Sequence, residues 1–249
     1  SDPNNTLKDL PTVGLPGDYF YSPMQFQGEW GPYQETICSV DPSGRGSDET
    51  AAAYISQRNG FLYLHEMRAY KDGYSDNTLL DILKGCRKYN VTKLVIETNF
   101  GDGMVTELFR KHLKEVKVNL DIEEIRANVR KEDRIIDALE PILNQHRLIV
   151  DPKVIKQDWE TAQDYPAEHQ LKYQLMYQMS RLTKDRGAIS HDDRLDALSI
   201  AVNYWVENMA QDAEEQMKTR QQQAITDELE RFKDSYFKCT GKTSVSRWF

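Results

Sequence analysis

The sequence has few cysteines, no long apolar run and no P-loop motif, and each absence excludes a class of protein. Three cysteines in 249 residues, without paired spacing, exclude a disulfide framework or a zinc knuckle and favour a reducing compartment. No apolar stretch approaches the roughly 20 residues that cross a bilayer, and no signal-peptide pattern opens the chain. No G-x-x-x-x-G-K-[ST] motif occurs, which excludes a P-loop ATPase site within this sequence. With 39% hydrophobic and 29% charged residues, the sequence predicts a globular protein that does not contact a membrane.

The net charge of -8 is unevenly distributed along the chain. Residues 1–40 hold five acids and one lysine, whereas residues 41–206 are close to balance, with 24 basic and 27 acidic side chains. Because nucleic-acid binding follows the local field, a basic face can still contact phosphates. The candidates, each of which also fits a solvated surface charge, are Arg45, Arg130, Lys131, Arg181, Lys184 and Arg186.

The hydrophobic pattern predicts an α/β fold with a mixed sheet, beginning at Glu35. Residues 1–34, rich in proline, glycine and aromatics, predict an extended arm. Three strands follow, "ETICSVD", "TAAAYISQ" and "GFLYLHEMRAY", the last two joined by an "RNG" turn. Helices "SDNTLLDILKGCRKYN" (capped by Ser75 or Asp76), "GDGMVTELFRKHLKEV" and "KEDRIIDALEPILNQHR" then alternate with strands "TKLVIETN", "VNLDIEEIRA" and "LIVD". This alternation indicates helices flanking the sheet.

The remainder of the chain predicts mainly helix. After "LIVD" we expect an irregular segment, then a helix around "EHQLKYQLMYQMSRL" and another that His191 opens. The tract from "ENMAQ" to "DSYF" favours helix but has little apolar stripe, which is typical of a segment that projects into solvent or docks on a partner.

Carboxylates gather at three predicted element ends. Asp41 ends the first strand, Glu97 ends "KLVIE", and Asp192, Asp193 and Asp196 open the helix after His191. Because the ends of neighbouring strands in an open α/β sheet converge on one crevice, these acids are expected to meet. Crowded carboxylates need compensation, and Mg²⁺ or Mn²⁺ supplies it with oxygen ligands. Two such ions about 4 Å apart can clamp both oxygens of a phosphoryl transfer.

Each acid, taken alone, also fits a structural role. Asp41 precedes a proline and can begin a turn, while Asp192 and Asp193 can cap a helix. Asp196 is harder to explain in this way, because apolar residues follow it and an unpaired buried carboxylate is costly. The three positions together favour a metal site.

The motifs "SVDPSGRGSDETA", "LVIETNFGDGM", "RKEDRIIDALEPIL" and "HDDRLDALSIAV", in this order, resemble the nuclease domain of a large terminase subunit of tailed bacteriophages, the T7-like group above all. The resemblance spans about residues 35–206. It implies an RNase H-like fold and a two-metal endonuclease that cuts concatemeric double-stranded DNA at packaging initiation and termination.

Carried over by motif, the resemblance makes Asp41 the first metal ligand and Glu97 the central one. The last metal ligand comes from the helix that follows His191. Asp193 and Asp196 are the leading candidates for it, and Asp192 could serve instead of Asp193. Asp48 is expected to support these ligands or to help hold a metal ion, and His191 to orient a carboxylate or to contact the scissile phosphate.

The resemblance also implies a domain organisation and partners. Residues 1–34 form a linker-derived arm, residues 35–206 the nuclease domain, and residues 207–249 a helical tail that docks on the portal or prohead. An N-terminal ATPase domain, absent here, and the small terminase subunit are further expected partners, in the host-cell cytoplasm. Two alternatives stay open: an RNase H-like junction resolvase or transposase, and a non-catalytic portal-docking module.

Overall fold

A computed structural model describes residues 4–12, 19–22, 32–43, 48–98, 103–126, 129–185, 187 and 189–240. Contacts within the chain divide it into two units, Ser1–Trp205 and Val206–Phe249, each of which is described by itself. The domain boundaries expected after residues 34 and 206 stay predictions. None of the described helices is both long enough and apolar enough to cross a membrane.

The first unit is built on a mixed six-stranded sheet. In chain order the strands are β1 (Thr6–Leu7), β2 (Phe20–Tyr21), β3 (Glu35–Asp41), β4 (Thr50–Arg58), β5 (Phe61–Tyr70), β6 (Lys93–Glu97), β7 (Asp121–Ile125) and β8 (Leu148–Val150). The sheet order is β7-β6-β3-β4-β5-β8, while β1 and β2 form a separate two-stranded pair. Strands β3, β4 and β5 pair antiparallel; β6 and β7 join the β3 side in parallel, and β8 runs parallel to β5. The α/β mixed sheet predicted from the sequence is confirmed.

The helices flank this sheet. They are α1 (Asp76–Lys88), α2 (Met104–Val116), α3 (Lys131–Asn144), α4 (Pro152–Ala162), α5 (Leu175–Arg181) and α6 (Asp193–Thr240), with a 3-10 turn at Gln170–Tyr173. Helices α1 and α2 bury their apolar stripes against one face of the sheet, where Cys38 and Val40 of β3 pack. The opposite face is contacted by α6, since the Ser39 hydroxyl donates to the Ala197 carbonyl at 2.6 Å.

Local chemistry explains how α1 is positioned. Its N-cap is Ser75, as expected, whose hydroxyl accepts from the Thr78 N–H. Helix α1 comes close to β4 at Gly85, where a Cβ would lie 2.2 Å from the Tyr54 hydroxyl oxygen. Glu66 of β5 ties the helix down further.

The Glu66 carboxylate accepts hydrogen bonds from three side chains: Arg68 at 2.6 Å, Lys88 at 2.8 Å and Tyr89 at 2.6 Å. Burial raises the pKa of Glu66, but these three hydrogen bonds outweigh burial and lower it to about 2. Charge-assisted hydrogen bonds therefore hold β5 and α1 together beside an apolar interface.

Two expectations about the chain after β8 are wrong. The segment expected to be irregular contains α4, which Asp151 caps at 2.9 Å through the Lys153 N–H, with Pro152 as first residue. The single helix expected around residues 168–182 is two pieces, because Gln174 adopts an extended conformation. The Asp158 carboxylate accepts hydrogen bonds from the N–H groups of Leu175 and Met176 at 2.8 and 3.2 Å. These bonds satisfy the first N–H groups of α5, which therefore begins as a separate helix.

Candidate metal centre

Strand geometry brings Asp41 and Glu97 together. Side chains alternate between faces along a strand, so Asp41 lies on the face of Ser39, the face that contacts α6. Strands β3 and β6 are parallel, with Val40 opposite Ile96. Asp41 and Glu97 are the next residues of each strand, and they therefore end neighbouring strands on the same face.

The first turn of α6 supplies the third carboxylate. Oxygens of Asp41, Glu97 and Asp196 all lie within 4.8 Å of one another, and Glu97 and Asp196 are 1% exposed. The turn is fixed from several sides: the Asp196 N–H donates to the Asp192 carbonyl at 2.7 Å, and the Leu195 N–H to the Gln178 side chain at 3.0 Å. These three acids from three elements are called the acid cluster below.

Asp193 points elsewhere. Its carboxylate accepts the Glu49 N–H at 3.1 Å and lies in a second group with Asp48 and His191, whose candidate ligand atoms are also within 4.8 Å of one another. The imidazole of His191 stacks on Tyr173, with ring centroids 4.2 Å apart. Nδ1 of this ring has no hydrogen-bond partner among the described residues and lies 3.8 Å from Asp48. Of the two leading aspartates, Asp196 joins Asp41 and Glu97, and Asp193 joins Asp48.

Two cations of α3 compensate the acid cluster. Nη1 and Nη2 of Arg134 lie 2.6 Å from Glu97 and 2.6 Å from Asp196 respectively. Nζ of Lys131 lies 2.9 Å from Asp192, 3.0 Å from Asp196 and 3.9 Å from Asp41. Sequence reasoning missed Arg134 altogether. Its position three residues after Lys131, on the same face of α3, is the signal that could have found it.

The electrostatics of the centre reflect crowded negative charge. Burial raises the pKa of Asp41 well above its usual value, the charge of Asp196 raises it further, and Lys131 offsets part of the effect. Burial also raises the pKa of Asp193 to about 7, although the Glu49 N–H opposes it. Burial lowers the pKa of Lys131, but the charges of Asp196, Asp41 and Asp192 outweigh burial and raise it.

A buried ion group holds the α6 turn in place. Arg194 donates to both oxygens of Glu49 at 2.9 and 3.0 Å and to Asp158 at 2.9 Å, and these three side chains are 1–3% exposed. Burial raises the pKa of Asp158 despite the opposing charge of Arg194. Tyr165 donates to the same Glu49 at 2.7 Å. Glu49, Asp158 and Arg194 were not singled out from the sequence, because nothing local distinguishes them from surface charges.

The remaining predicted site residues are DNA-contact candidates at the periphery. Arg130 pairs with Asp133 at 3.2 Å and donates to the Lys184 carbonyl. The side chains of Arg181 and Lys184 are exposed. Arg45 and Arg186 lie outside the described residues.

The donor chemistry of the acid cluster fits a hard divalent cation. All its ligand atoms are carboxylate oxygens, they are spaced to share an ion, and their surplus negative charge raises the pKa of Asp41. Mg²⁺ and Mn²⁺ prefer such ligands. The residues present therefore fit the ions that the motifs imply.

Comparison with known proteins first defines the class. Residues 40–148 match the family model described as the ribonuclease H-like domain of the bacteriophage T7 terminase. The match contains Asp41, Glu97, Lys131 and Arg134. The mixed sheet with its flanking helices is an RNase H-like nuclease fold, as expected from the resemblance.

A similar sequence indicates which large terminase subunits the chain resembles. Over 209 residues, 84% of this chain, the sequence is 43% identical to the large terminase subunit of Enterobacteria phage T3. With the family match, this places residues 40–148 in the family of RNase H-like domains of T7-type large terminase subunits. The chain spans 36% of the length of that T3 relative, about a third.

Solved structures show weaker likenesses. The human cytomegalovirus terminase nuclease domain is 13% identical, with a TM-score of 0.46 over 69% of this chain and 84% of that one. The nuclease domain of the large terminase subunit of bacterial virus Sf6 is 12% identical, with a TM-score of 0.44 over 70% and 90%. Both TM-scores lie below 0.5, so neither likeness bears on the function proposed below.

Proposed function

We propose that this chain is the metal-dependent endodeoxyribonuclease part of a genome-packaging terminase. It cuts concatemeric double-stranded DNA at the initiation and termination of packaging, in the host-cell cytoplasm. The observation that carries the proposal is the convergence of Asp41, Glu97 and Asp196 within 4.8 Å, largely buried, at two strand ends and a helix start. The family match to a terminase RNase H-like domain supports it.

Asp41, Glu97 and Asp196 would hold two Mg²⁺ or Mn²⁺ ions. When bound, the ions activate the attacking water and stabilise the departing 3′ oxygen. Asp192 and Asp193 are adjacent acids that would tune the local charge. Asp48 and His191 lie beside Asp193, where the imidazole, fixed by stacking on Tyr173, can orient that carboxylate or donate to a phosphate oxygen.

The residues of the chain itself provide the positioning. Arg134 bridges Glu97 and Asp196, and so fixes the distance between a strand ligand and a helix ligand. Arg194 anchors the turn that carries Asp196 to Glu49 and Asp158. Pre-set ligands need no reorganisation when substrate binds, which is the main contribution that a protein makes to metal-assisted hydrolysis.

Duplex DNA would be held by phosphate contacts. Arg130, Lys131, Arg181 and Lys184 are the described candidates, and Arg45 and Arg186 are further candidates from the sequence. Contacts of this kind position a duplex without reading its bases. Cutting with little sequence preference follows.

Partner contacts are also part of the proposal. The tail, residues 207–249, would dock on the portal or prohead, and within it α6 exposes Met217, Ile225 and Leu229, each more than half accessible. The small terminase subunit and an ATPase domain would complete the assembly. Loss of portal binding on deletion of residues 207–249, with nicking retained, is the expected result.

Plasmid nicking in Mg²⁺ or Mn²⁺ tests the nuclease. Asp41→Asn, Glu97→Gln and Asp196→Asn should each reduce the nicking rate by about 100-fold or more, because each removes a charged ligand oxygen. Asp137→Asn, an exposed acid of α3, is the matched control and should keep the wild-type rate. Circular dichroism checks folding, and full nicking by all three site variants would refute the proposal. Preference for branched over linear DNA would instead favour a junction resolvase.

A further inference from the structure

We propose that Lys131 holds the place of a metal ion in the free domain, and leaves it when a DNA phosphate binds its ammonium group. Metal affinity is thereby coupled to substrate, so that the acid cluster binds metal tightly only when DNA is in place. This inference rests on the proposed nuclease function and concerns how that same site is regulated.

The position of the ammonium group is the first observation. Nζ of Lys131 lies 3.0 Å from Asp196 and 3.9 Å from Asp41, the two acids that come from α6 and β3. A divalent ion shared by these carboxylates would lie about 2.1 Å from each oxygen. The same small volume cannot hold both an ammonium group and such an ion, and their charges repel.

The second observation is the contrast between Lys131 and Arg134. Arg134 is 14% exposed and uses one nitrogen for each of Glu97 and Asp196, so its planar group is fixed between them. Lys131 is 37% exposed and ends a flexible four-carbon chain. Arg134 is therefore a permanent clamp, whereas Lys131 can swing outwards without disturbing the fold.

A phosphate gives the released ammonium group a new partner. Lys131 begins α3 directly after Arg130, whose side chain is 46% exposed at the same edge. At this edge, the Lys131 ammonium group would bind a DNA phosphate instead of Asp41, Asp192 and Asp196. Since binding couplings are reciprocal, DNA should strengthen metal binding by the same factor as metal strengthens DNA binding.

Mn²⁺ affinity, with and without DNA, tests the inference. Free Mn²⁺ is measured by electron paramagnetic resonance on ice, with a short blunt duplex shown to be intact on a gel and a duplex-only titration subtracted. In the wild type we expect DNA to tighten Mn²⁺ binding by about tenfold, a typical coupling between sites. In Lys131→Met without DNA, we expect Mn²⁺ to bind about tenfold more tightly than it does to the wild type without DNA. Adding DNA should then give little further gain.

Three controls make the outcome interpretable. Lys114→Met removes an exposed lysine of α2 and should behave as wild type; Asp196→Asn should lose Mn²⁺ binding, which shows that the titrated site is the acid cluster. Lys131→Gln repeats the test in case the methionine variant unfolds. Equal Mn²⁺ affinity of wild type and both Lys131 variants without DNA would overturn the inference while leaving the nuclease proposal intact. Absence of Mn²⁺ binding in every variant would overturn both.

Discussion

Arg194 holds two buried carboxylates, and its removal should be among the most destabilising single changes in the first unit. Arg194→Met keeps much of the side-chain volume but leaves Glu49 and Asp158, 3% and 1% exposed, without their shared counter-ion. Breaking a buried ion pair from one side costs about 3–5 kcal/mol, a large part of the 5–15 kcal/mol that stabilises a typical domain. The pKa of Asp158, raised by burial even with Arg194 present, indicates how poorly solvated this position is.

Urea unfolding at pH 7, followed by tryptophan fluorescence, measures the effect. Arg87→Met, an exposed arginine of α1, is the matched control and should change the free energy of unfolding by less than about 0.5 kcal/mol. The triple variant Glu49→Gln, Arg194→Met, Asp158→Asn should recover part of the loss, because no buried charge is then left alone. A loss below about 1 kcal/mol in Arg194→Met would refute the view that this ion group anchors the turn.

Three further changes test the packing of α1. Glu66→Gln should lower the free energy of unfolding at pH 7 on the order of 2 kcal/mol. Because the folded-state pKa of Glu66 is lowered from 4.5 to about 2, its contribution to stability is present above pH 4.5 and is lost as the pH falls towards 2. The urea unfolding curves of the wild type and of Glu66→Gln should therefore converge near pH 2. Gly85→Ala should lower the free energy of unfolding by about 1–3 kcal/mol, although alanine has the better helix propensity, because the added Cβ would overlap Tyr54. An unchanged melting temperature would contradict this. Ser75→Ala should cost about 1 kcal/mol by removing the N-cap, as measured by thermal unfolding.

Local patterns predicted the elements that depend on local chemistry. The "RNG" turn is one case, with Asn59 and Gly60 at φ 51° and 78°, the left-handed values that a tight hairpin requires. The strand ends at Asp41 and Glu97 are another, because alternation and turn signals fix where a strand stops. Helix α4 was not predicted, although Asp151 and Pro152 form a helix-start signal.

The sequence could not assign Asp193 and Asp196 to their separate groups. Both are acids of one helical turn, and the choice between them depends on how α6 is rotated about its axis against the sheet. That rotation is set by distant partners: Ser39 through the Ala197 carbonyl, Gln178 through the Leu195 N–H, and the Arg194 ion group. Helical periodicity alone carries no information about such contacts.

The acid cluster combines residues that are far apart in the chain, and this governs when a nascent protein acquires its chemistry. Asp41 is synthesised before Glu97 and Arg134, and Asp196 follows only with the last helix of the first unit. Because domains fold as units while the chain emerges from the ribosome, a chain interrupted before α6 has two ligands and no third. If the chain is the nuclease proposed above, its site would thus be completed in one late step, and truncated translation products would lack the third carboxylate.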